Sequence, residues 1–391
     1  MNQRVAAKLA LVMCACAALV LPRSAGADQP PLRVGFVSTF SRPFTEQGEA
    51  AKAAIAAFIK EHGDSVAGRK LDVIIRDDGG LAPETAQRLA QELIAGDHVD
   101  FLMGSIYAPN EKALGAVSTA AKTPAFFVNG GYGILEGNPY TARFAFAQGQ
   151  LIYPLAEWAL KNGLKNVYML YLNFGPGIDS ATSFKTAFTA GGGKIAGDEA
   201  VPVDTTDFSA SIQHIRDAKP QAVFIFLISQ GTPFIKQWHS SGAAQSGIKI
   251  LAGIETNELA LPVLGDDAIG IYSAANYTVA HASTLNTDFK RDMHAADPSI
   301  PSPDFYDVAV YDALQAIYKV TAAQNGALDP DKTMALVRAL KFESPRGPIE
   351  IDPQTRDVVQ NIDIRRVDKV NGALQNTPIA TYPHVRDPLE K

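Results

Sequence analysis

What most constrains this chain is a repeated alternation of short apolar runs with amphipathic segments. Residues 32–39 (LRVGFVST) read as a strand, and the segment EQGEAAKAAIAAFIKEHG after it places Ala51, Ala54, Ile55, Phe58 and Ile59 on one helical face. Strands at 70–78 (KLDVIIRDD), 99–105 (VDFLMGS) and 123–130 (TPAFFVNG) alternate with two helices. One is PETAQRLAQELIAGD, started by Pro83 and stopped by Gly96, and the other is PNEKALGAVSTAAK. After a loop-rich stretch the pattern restarts at Gly149, with strands at 165–175, 221–229 and 248–254, a further strand in GKIAGDEAVP, and helices between them. One of those helices opens at a cap region around Asp207. Wholly apolar strands such as QAVFIFLIS belong in a parallel sheet covered on both faces. The alternation therefore predicts two doubly wound α/β lobes, over about 30–148 and 149–276. The remainder is too short for a third lobe. It holds IGIYSAANYTV, a long helix at 305–324, a helix near DKTMALVRAL, and the strands PIEIDPQT and DVVQNIDIRRVD. These are expected to complete both sheets, with the chain crossing between lobes more than once.

The first 27 residues stand outside this pattern. Arg4 and Lys8 precede 13 apolar residues at 9–21, and Ala25-Gly26-Ala27 forms an A-x-A site. At about 1.5 Å per residue the run reaches about 20 Å, against roughly 30 Å of bilayer hydrocarbon. We read residues 1–27 as a cleaved secretory signal peptide. The alternative, a lipoprotein, is disfavoured because Cys14 and Cys16 lie deep in the apolar run without a small-residue lipobox. They are the only two cysteines, so the mature 364 residues have no disulfide, thiolate nucleophile or thiolate metal site. A chain of that size stands on its core alone, and export without disulfides fits a bacterial periplasm. The signal removes three of the 35 Lys and Arg and none of the 41 Asp and Glu, which leaves a net charge of −9. With no Lys/Arg block, nucleic acid is excluded as a partner. No later apolar stretch approaches the roughly 18 residues of a span, so no membrane insertion is expected after cleavage.

Ligands of open α/β sheets bind outside the carboxyl ends of the strands, so the strand-to-helix loops carry the functional reading. NGGYGILEG (129–137) has glycines after a strand, but Asn138-Pro139 follows where a phosphate-binding helix would have to start. A glycine-lined wall that lets backbone approach a ligand is the better reading. The seven histidines show no paired zinc spacing, and no G-x-S-x-G elbow occurs, so neither a metal, a cofactor nor a catalytic residue is assigned. Asp77-Asp78 reads as a solvated turn in preference to a metal site. Six loops, from both lobes, combine polar and aromatic residues: Phe40-Ser41-Arg42, Tyr107-Ala108-Pro109-Asn110, Asn129-Gly130-Gly131-Tyr132, Asn173-Phe174-Gly175, Ser229-Gln230-Gly231 and Glu255-Thr256-Asn257. Together they imply a polar and aromatic pocket between the lobes.

The order and spacing of RVGFVSTFSRPFTEQGEAAKAAI, KLDVIIRDDGGLAPETAQRLAQELI, FLMGSIYAPN, TPAFFVNG, FIKQWHSSGA, DFYDVAVYDALQAI and SPRGPIEIDPQTRDVVQNIDIRRV carry a resemblance over nearly all of the mature chain. The chain resembles the periplasmic solute-binding proteins of the leucine/isoleucine/valine-binding type (periplasmic binding protein type 1). The resemblance implies two lobes joined by a hinge of several crossovers: lobe 1 from 28–148 plus about 277–343, and lobe 2 from 149–276 plus about 344–391. It implies a monomer that closes on a small-molecule solute and delivers it to the membrane subunits of an ABC permease.

The family's pattern falls on this sequence as follows. Its S-G-P loop stands here as Ser41-Arg42-Pro43, and the aromatic before the loop glycine as Gln47. The serine that holds a ligand carboxylate is replaced by Ala108, and the small residues of the next loop fall on Gly130 and Gly131, followed by Tyr132. The acid that takes an α-ammonium falls on Glu255, and the aromatic opening the long helix on Tyr306, with Phe305 one register away. The expected ligand-binding set is Ser41, Arg42, Gln47, Tyr107, Ala108, Asn129, Gly130, Gly131, Tyr132, Phe174, Gln230, Glu255 and Tyr306. Arg42 replaces the missing carboxylate clamp or is a solvated loop residue. The ligand is a small carboxylate: an amino acid by family pattern, or an aromatic acid by the aromatic residues of the loops. A soluble sensor partnering a kinase shares the same fold and stands as the alternative to transport.

Overall fold

The computed structural model describes residues 29–42, 44–300 and 302–388, so the signal peptide read at 1–27 lies outside the described residues. Two sheets organise the chain. The first has the order β2-β3-β1-β4-β5-β6, from Leu32–Ser38 (β1), Ser65–Val66 (β2), Arg69–Asp77 (β3), Phe101–Gly104 (β4), Ala125–Phe127 (β5) and Thr141–Arg143 (β6). Its strands are parallel apart from the β2–β3 hairpin. Helices Thr45–His62 (α1), Pro83–Ala95 (α2) and Ala108–Ala121 (α3) make its crossovers.

The second sheet follows Gln148–Lys161 (α4). It contains Asn166–Leu172 (β7), Lys194–Val201 (β8), Ala222–Phe226 (β9), Lys249–Ala252 (β10) and Tyr272–Ala275 (β11), all parallel, in the order β11-β10-β9-β7-β8. Gly175–Ala190 (α5), Ser209–Ala218 (α6), Gly231–Ser240 (α7) and the short Leu261–Leu264 (α8) connect its strands. The chain then returns to the first sheet, where Thr284–Ala296 (α9) and Phe305–Ala323 (α10) pack on α1 and Pro330–Val337 (α11) packs on α10. Helix α10 starts cleanly because Asp304 and Asp307 form a reciprocal cap: the Asp304 carboxylate accepts from the Tyr306 and Asp307 N–H groups, and Asp307 accepts from the Asp304 N–H.

Of the two sheets that the remainder was expected to complete, the C-terminal strands complete only the second. Lys341–Ser344 (β12), Gly347–Ile351 (β13), Val358–Val370 (β14) and Ala373–Val385 (β15) all join the second sheet, and none joins the first. The reason is their spacing. Consecutive antiparallel strands joined by short turns must be neighbours, and β14 also pairs with β11 through Tyr272↔Arg366 to Ala275↔Asp363. β6 and α9 also form where no strand or helix was expected.

Two chain passages between the sheets, at Ala145 and Asn276, meet two second-sheet residues at one carbonyl. The Ala145 oxygen accepts from Asn276 Nδ2 (3.2 Å), Arg346 Nη1 (2.9 Å) and Gln360 Nε2 (2.9 Å). A carbonyl offers two lone pairs, so three donors converging on it mark a tightly packed pivot between the lobes.

Candidate functional site

The carboxyl ends of the parallel strands in the first sheet are knitted together by two buried carboxyl groups. Asp78 is 2 % exposed. It accepts from Thr39 Oγ1 (2.7 Å), Ser105 Oγ (2.9 Å), Asn110 Nδ2 (2.8 Å) and the Gly80 N–H (3.1 Å), joining the loops after β1, β3 and β4. The expectation of a solvated turn at Asp77-Asp78 therefore holds for the exposed Asp77 and fails for Asp78. Among the described residues, no three or more His, Cys, Asp or Glu side chains group as metal ligands. Glu111 is fully buried in the first turn of α3. Its Oε1 accepts from the Ser105 N–H (3.4 Å) and the Asn129 N–H (3.3 Å), and Asn129 Nδ2 donates to the Ile106 carbonyl. Burial pushes the Glu111 carboxyl well above its ordinary range, against the pull of Arg143 and of the Asn129 and Ser105 N–H groups.

These staples set the aromatic and polar residues of the first lobe. Phe40 is half-buried, edge-to-face on Phe36 at 5.6 Å, and Gly48 is required because a Cβ there would strike the Phe40 ring and Cα. The glycine thus lets α1 close on the loop. Ser41 leans on Asp77 at 3.5 Å. Arg42 is exposed, and no ion pair to a described residue fixes it. Gln47 is half-buried in the first turn of α1. Phe44 meets Tyr107 edge-to-face at 5.5 Å, joining the first and third loops. Ala108 opens α3 and packs against Gly131, where a Cβ would collide with the Ala108 methyl. Gly130 lies against the Phe146 ring, and Tyr132 stands at the rim, 44 % exposed. Tyr306 is 3 % exposed, and its hydroxyl meets Ser38 Oγ at 2.7 Å, so it forms the floor under β1 while the half-buried Phe305 sits beside Phe146.

The second lobe contributes fewer polar groups. Phe174 caps α5, is half-buried and packs with Ile228 against apolar clusters on both sides of the second sheet. Gln230 is half-buried at the start of α7. Glu255 is 4 % exposed, and both of its oxygens accept backbone N–H groups: Leu227 (2.5 Å) and Ile228 (3.1 Å) on Oε1, Ile254 (3.0 Å) on Oε2. The two lobes confront each other at α3 and α5. Burial raises the Asp179 carboxyl on α5, and Lys112 on α3 pulls it back.

The structure thus brings Ser41, Arg42, Gln47, Tyr107, Ala108, Asn129, Gly130, Gly131 and Tyr132 to the strand ends of one sheet. Phe174, Gln230 and Glu255 lie at the strand ends of the other, and Tyr306 lies beneath β1. Asp78, Ser105 and Glu111 were missed. The only local signal for Glu111 is an acid in a helix's first turn, which reads equally as a dipole partner. A recess of about 400 Å³ between α2 and α3, lined by Gln87, Gln91, Ile94 and Val117 among others, involves none of these loops.

Comparison with known proteins places this geometry among relatives. A family profile described as periplasmic binding protein matches residues 31–373. The chain is 35 % identical over 362 residues to a Leu/Ile/Val-binding protein homolog 6 of Brucella suis biovar 1 (strain 1330), covering 91 % of this chain and 93 % of that one. It is similar to a solute-binding protein of an ABC transporter from Rhodopseudomonas palustris BisB5, solved with 3,4-dihydroxybenzoic acid (38 % identity, TM-score 0.85, covering 92 % and 99 % of the two chains). It is also similar to an R. palustris ABC-transporter solute-binding protein solved with 4-hydroxybenzoate (33 % identity, TM-score 0.87, covering 92 % and 99 %).

Proposed function

From the premise that the chain belongs to the periplasmic binding protein family, we propose that it captures a small aromatic carboxylate between its lobes for an ABC importer. The observation that carries the ligand class is the make-up of the strand-end loops. They present Phe40, Tyr107, Tyr132 and Phe174 from both lobes, beside an exposed arginine that no described acid neutralises. Aromatic side chains favour a flat ring by stacking, and a guanidinium pairs a carboxylate through two hydrogen bonds. The relatives solved with hydroxylated benzoates support the same chemistry. A branched-chain amino acid is the second reading, and its support is the name of the Brucella relatives.

In this reading Ser41, Arg42, Gln47, Tyr107, Ala108, Asn129, Gly130, Gly131 and Tyr132 line one wall. Phe174 and Gln230 face them, with Glu255 behind the second wall and Tyr306 under the first. The lobes are residues 28–148 with about 277–343, and 149–276 with about 344–391, and they close as a hinge about the Ala145 pivot. The protein works as a soluble periplasmic monomer, exported by its cleaved signal. It passes the solute to permease membrane subunits and catalyses no reaction. Delivery to a sensor kinase is the alternative partner.

A thermal-shift and calorimetric screen tests the ligand class. At about 100-fold over Kd, benzoate or 4-hydroxybenzoate should stabilise the protein by about 2.7 kcal/mol. Stabilisation by no carboxylate overturns the reading. Arg42→Ala should weaken benzoate binding by about 1.5–3 kcal/mol, the range for a hydrogen bond to a charged group. Lys52→Ala should do far less, because Lys52 already pairs with Glu49 at 2.8 Å. Equal effects would make Arg42 a solvated loop residue.

A further inference from the structure

We infer that Glu255 is a specificity-determining residue that selects against α-amino acids: by closing its carboxyl group onto its own lobe's backbone, it withholds that carboxylate from an α-ammonium. The inference rests on the solute-binding reading and narrows it to carboxylates that lack an α-amino group.

The geometry argues for it in three steps. First, Glu255 is already engaged. Three N–H groups from the loops after β9 and β10 occupy its two oxygens, and only 4 % of the residue reaches solvent. Second, it is wedged. Gly231 packs so closely on the Glu255 Cβ and Cγ that any Cβ at position 231 would displace the side chain. Third, the loop depends on it. Ile228 is β-branched yet has φ +50°, a conformation that such residues rarely adopt, and its N–H is one of the three donors held by Glu255. Turning Glu255 toward an ammonium would orphan the buried Leu227 N–H and release a strained turn.

The first lobe follows the same plan. Glu111 collects the N–H groups of Ser105 and Asn129, and Asp78 collects those donors around it that Glu111 does not. Burial raises both the Glu111 and the Glu255 carboxyl groups above their ordinary range, which further weakens either as a partner for a cation. An amino acid entering the cleft would desolvate its ammonium without the Glu255 carboxylate to receive it, which is discrimination by an ill-paired charge.

The matched pair phenylacetate and phenylglycine, which differ by the α-amino group alone, tests the claim on the full mature chain. Calorimetry would be run with both, with benzoate and with leucine, on the wild type, Glu255→Gln and Glu255→Ala, with thermal melts of each. Phenylglycine and leucine should bind the wild type at least about thirtyfold more weakly than the better of benzoate and phenylacetate. Glu255→Gln keeps an acceptor for Leu227 and Ile228, so it should melt above Glu255→Ala. Wild-type binding of either amino acid within that thirtyfold margin overturns the inference, and a selective loss of it in Glu255→Gln would identify Glu255 as the ammonium acceptor. If Glu255→Ala does not fold, the wild type and Glu255→Gln still decide. Failure of all four ligands to bind removes the solute reading and the selectivity with it, while tight binding of amino acids alone refutes only the exclusion and the aromatic class.

Discussion

Replacing Arg143 with methionine is expected to lower the free energy of unfolding by about 3–5 kcal/mol. Arg143 ends β6 with its side chain 0 % exposed, and Asp357, in the turn between β13 and β14, is 3 % exposed. The guanidinium meets both Asp357 oxygens in a fork-on-fork pair, and its remaining nitrogen donates to the Gly131 carbonyl. One side chain therefore ties an edge strand of the first sheet to a hairpin of the second and to the loop that carries Tyr132. Removing it strands a carboxylate in a site that water does not reach, which costs far more than the pair itself contributes. Replacing both partners by apolar residues, as in Arg143→Met with Asp357→Leu, should recover much of the loss, because the Asp357 carboxylate is then no longer left buried without its partner. Urea denaturation with an unchanged m-value would measure both. A loss below about 1 kcal/mol in the single variant, the level of an exposed ion pair, would sink the account.

That contact also shows where sequence reading stops. The alternation of apolar runs and amphipathic helices was legible because each unit carries its own period and its own punctuation. Pro83 at the start of α2 and Gly96 at its end mark that helix in the residues themselves. β6 was not legible. Its three residues (TAR) carry an arginine and no alternation, and they become a strand only because β5 offers a free edge. The β14–β15 hairpin had a local signal that was passed over. Asn371 and Gly372 both have positive φ (50° and 84°), the two-residue turn that matches strand twist, and it separates two 13-residue strands. The site divides in the same way. The loops that carry it follow from strand ends, so Tyr107, Tyr132, Phe174 and Glu255 could be named. What Glu255 and Glu111 bind could not, because their partners are backbone N–H groups, which every residue except proline has and no sequence pattern distinguishes.

Arg346→Met is expected to be as damaging as the loss of Arg143, with a pH dependence that identifies its cause. Arg346 and Asp312 are both 0 % exposed and meet at 2.7 Å, and Arg346 also donates to the Phe144 and Ala145 carbonyls where the chain first passes between the lobes. Burial pushes the Asp312 carboxyl up to about 6, with Arg346 and Ser344 pulling it back. Its folded value thus lies above its unfolded value near 4. A group raised in this way contributes stability that is fully present below the unfolded value and is lost as pH rises through the folded one. Without Arg346 only the Ser344 hydroxyl still opposes burial, and the carboxyl moves higher still. At pH 8 the variant must then hold either a buried unpaired carboxylate or a proton taken up at a cost, and a loss of about 3–5 kcal/mol should result. At pH 5 the carboxyl is largely protonated with or without its partner, so the deficit should shrink to that of the two lost carbonyl contacts, about 1–3 kcal/mol. Unfolding free energies of the wild type and the variant at the two pH values decide the matter. A deficit that stays constant between them would mean that Arg346 acts on the pivot through its carbonyl contacts and not through the ion pair.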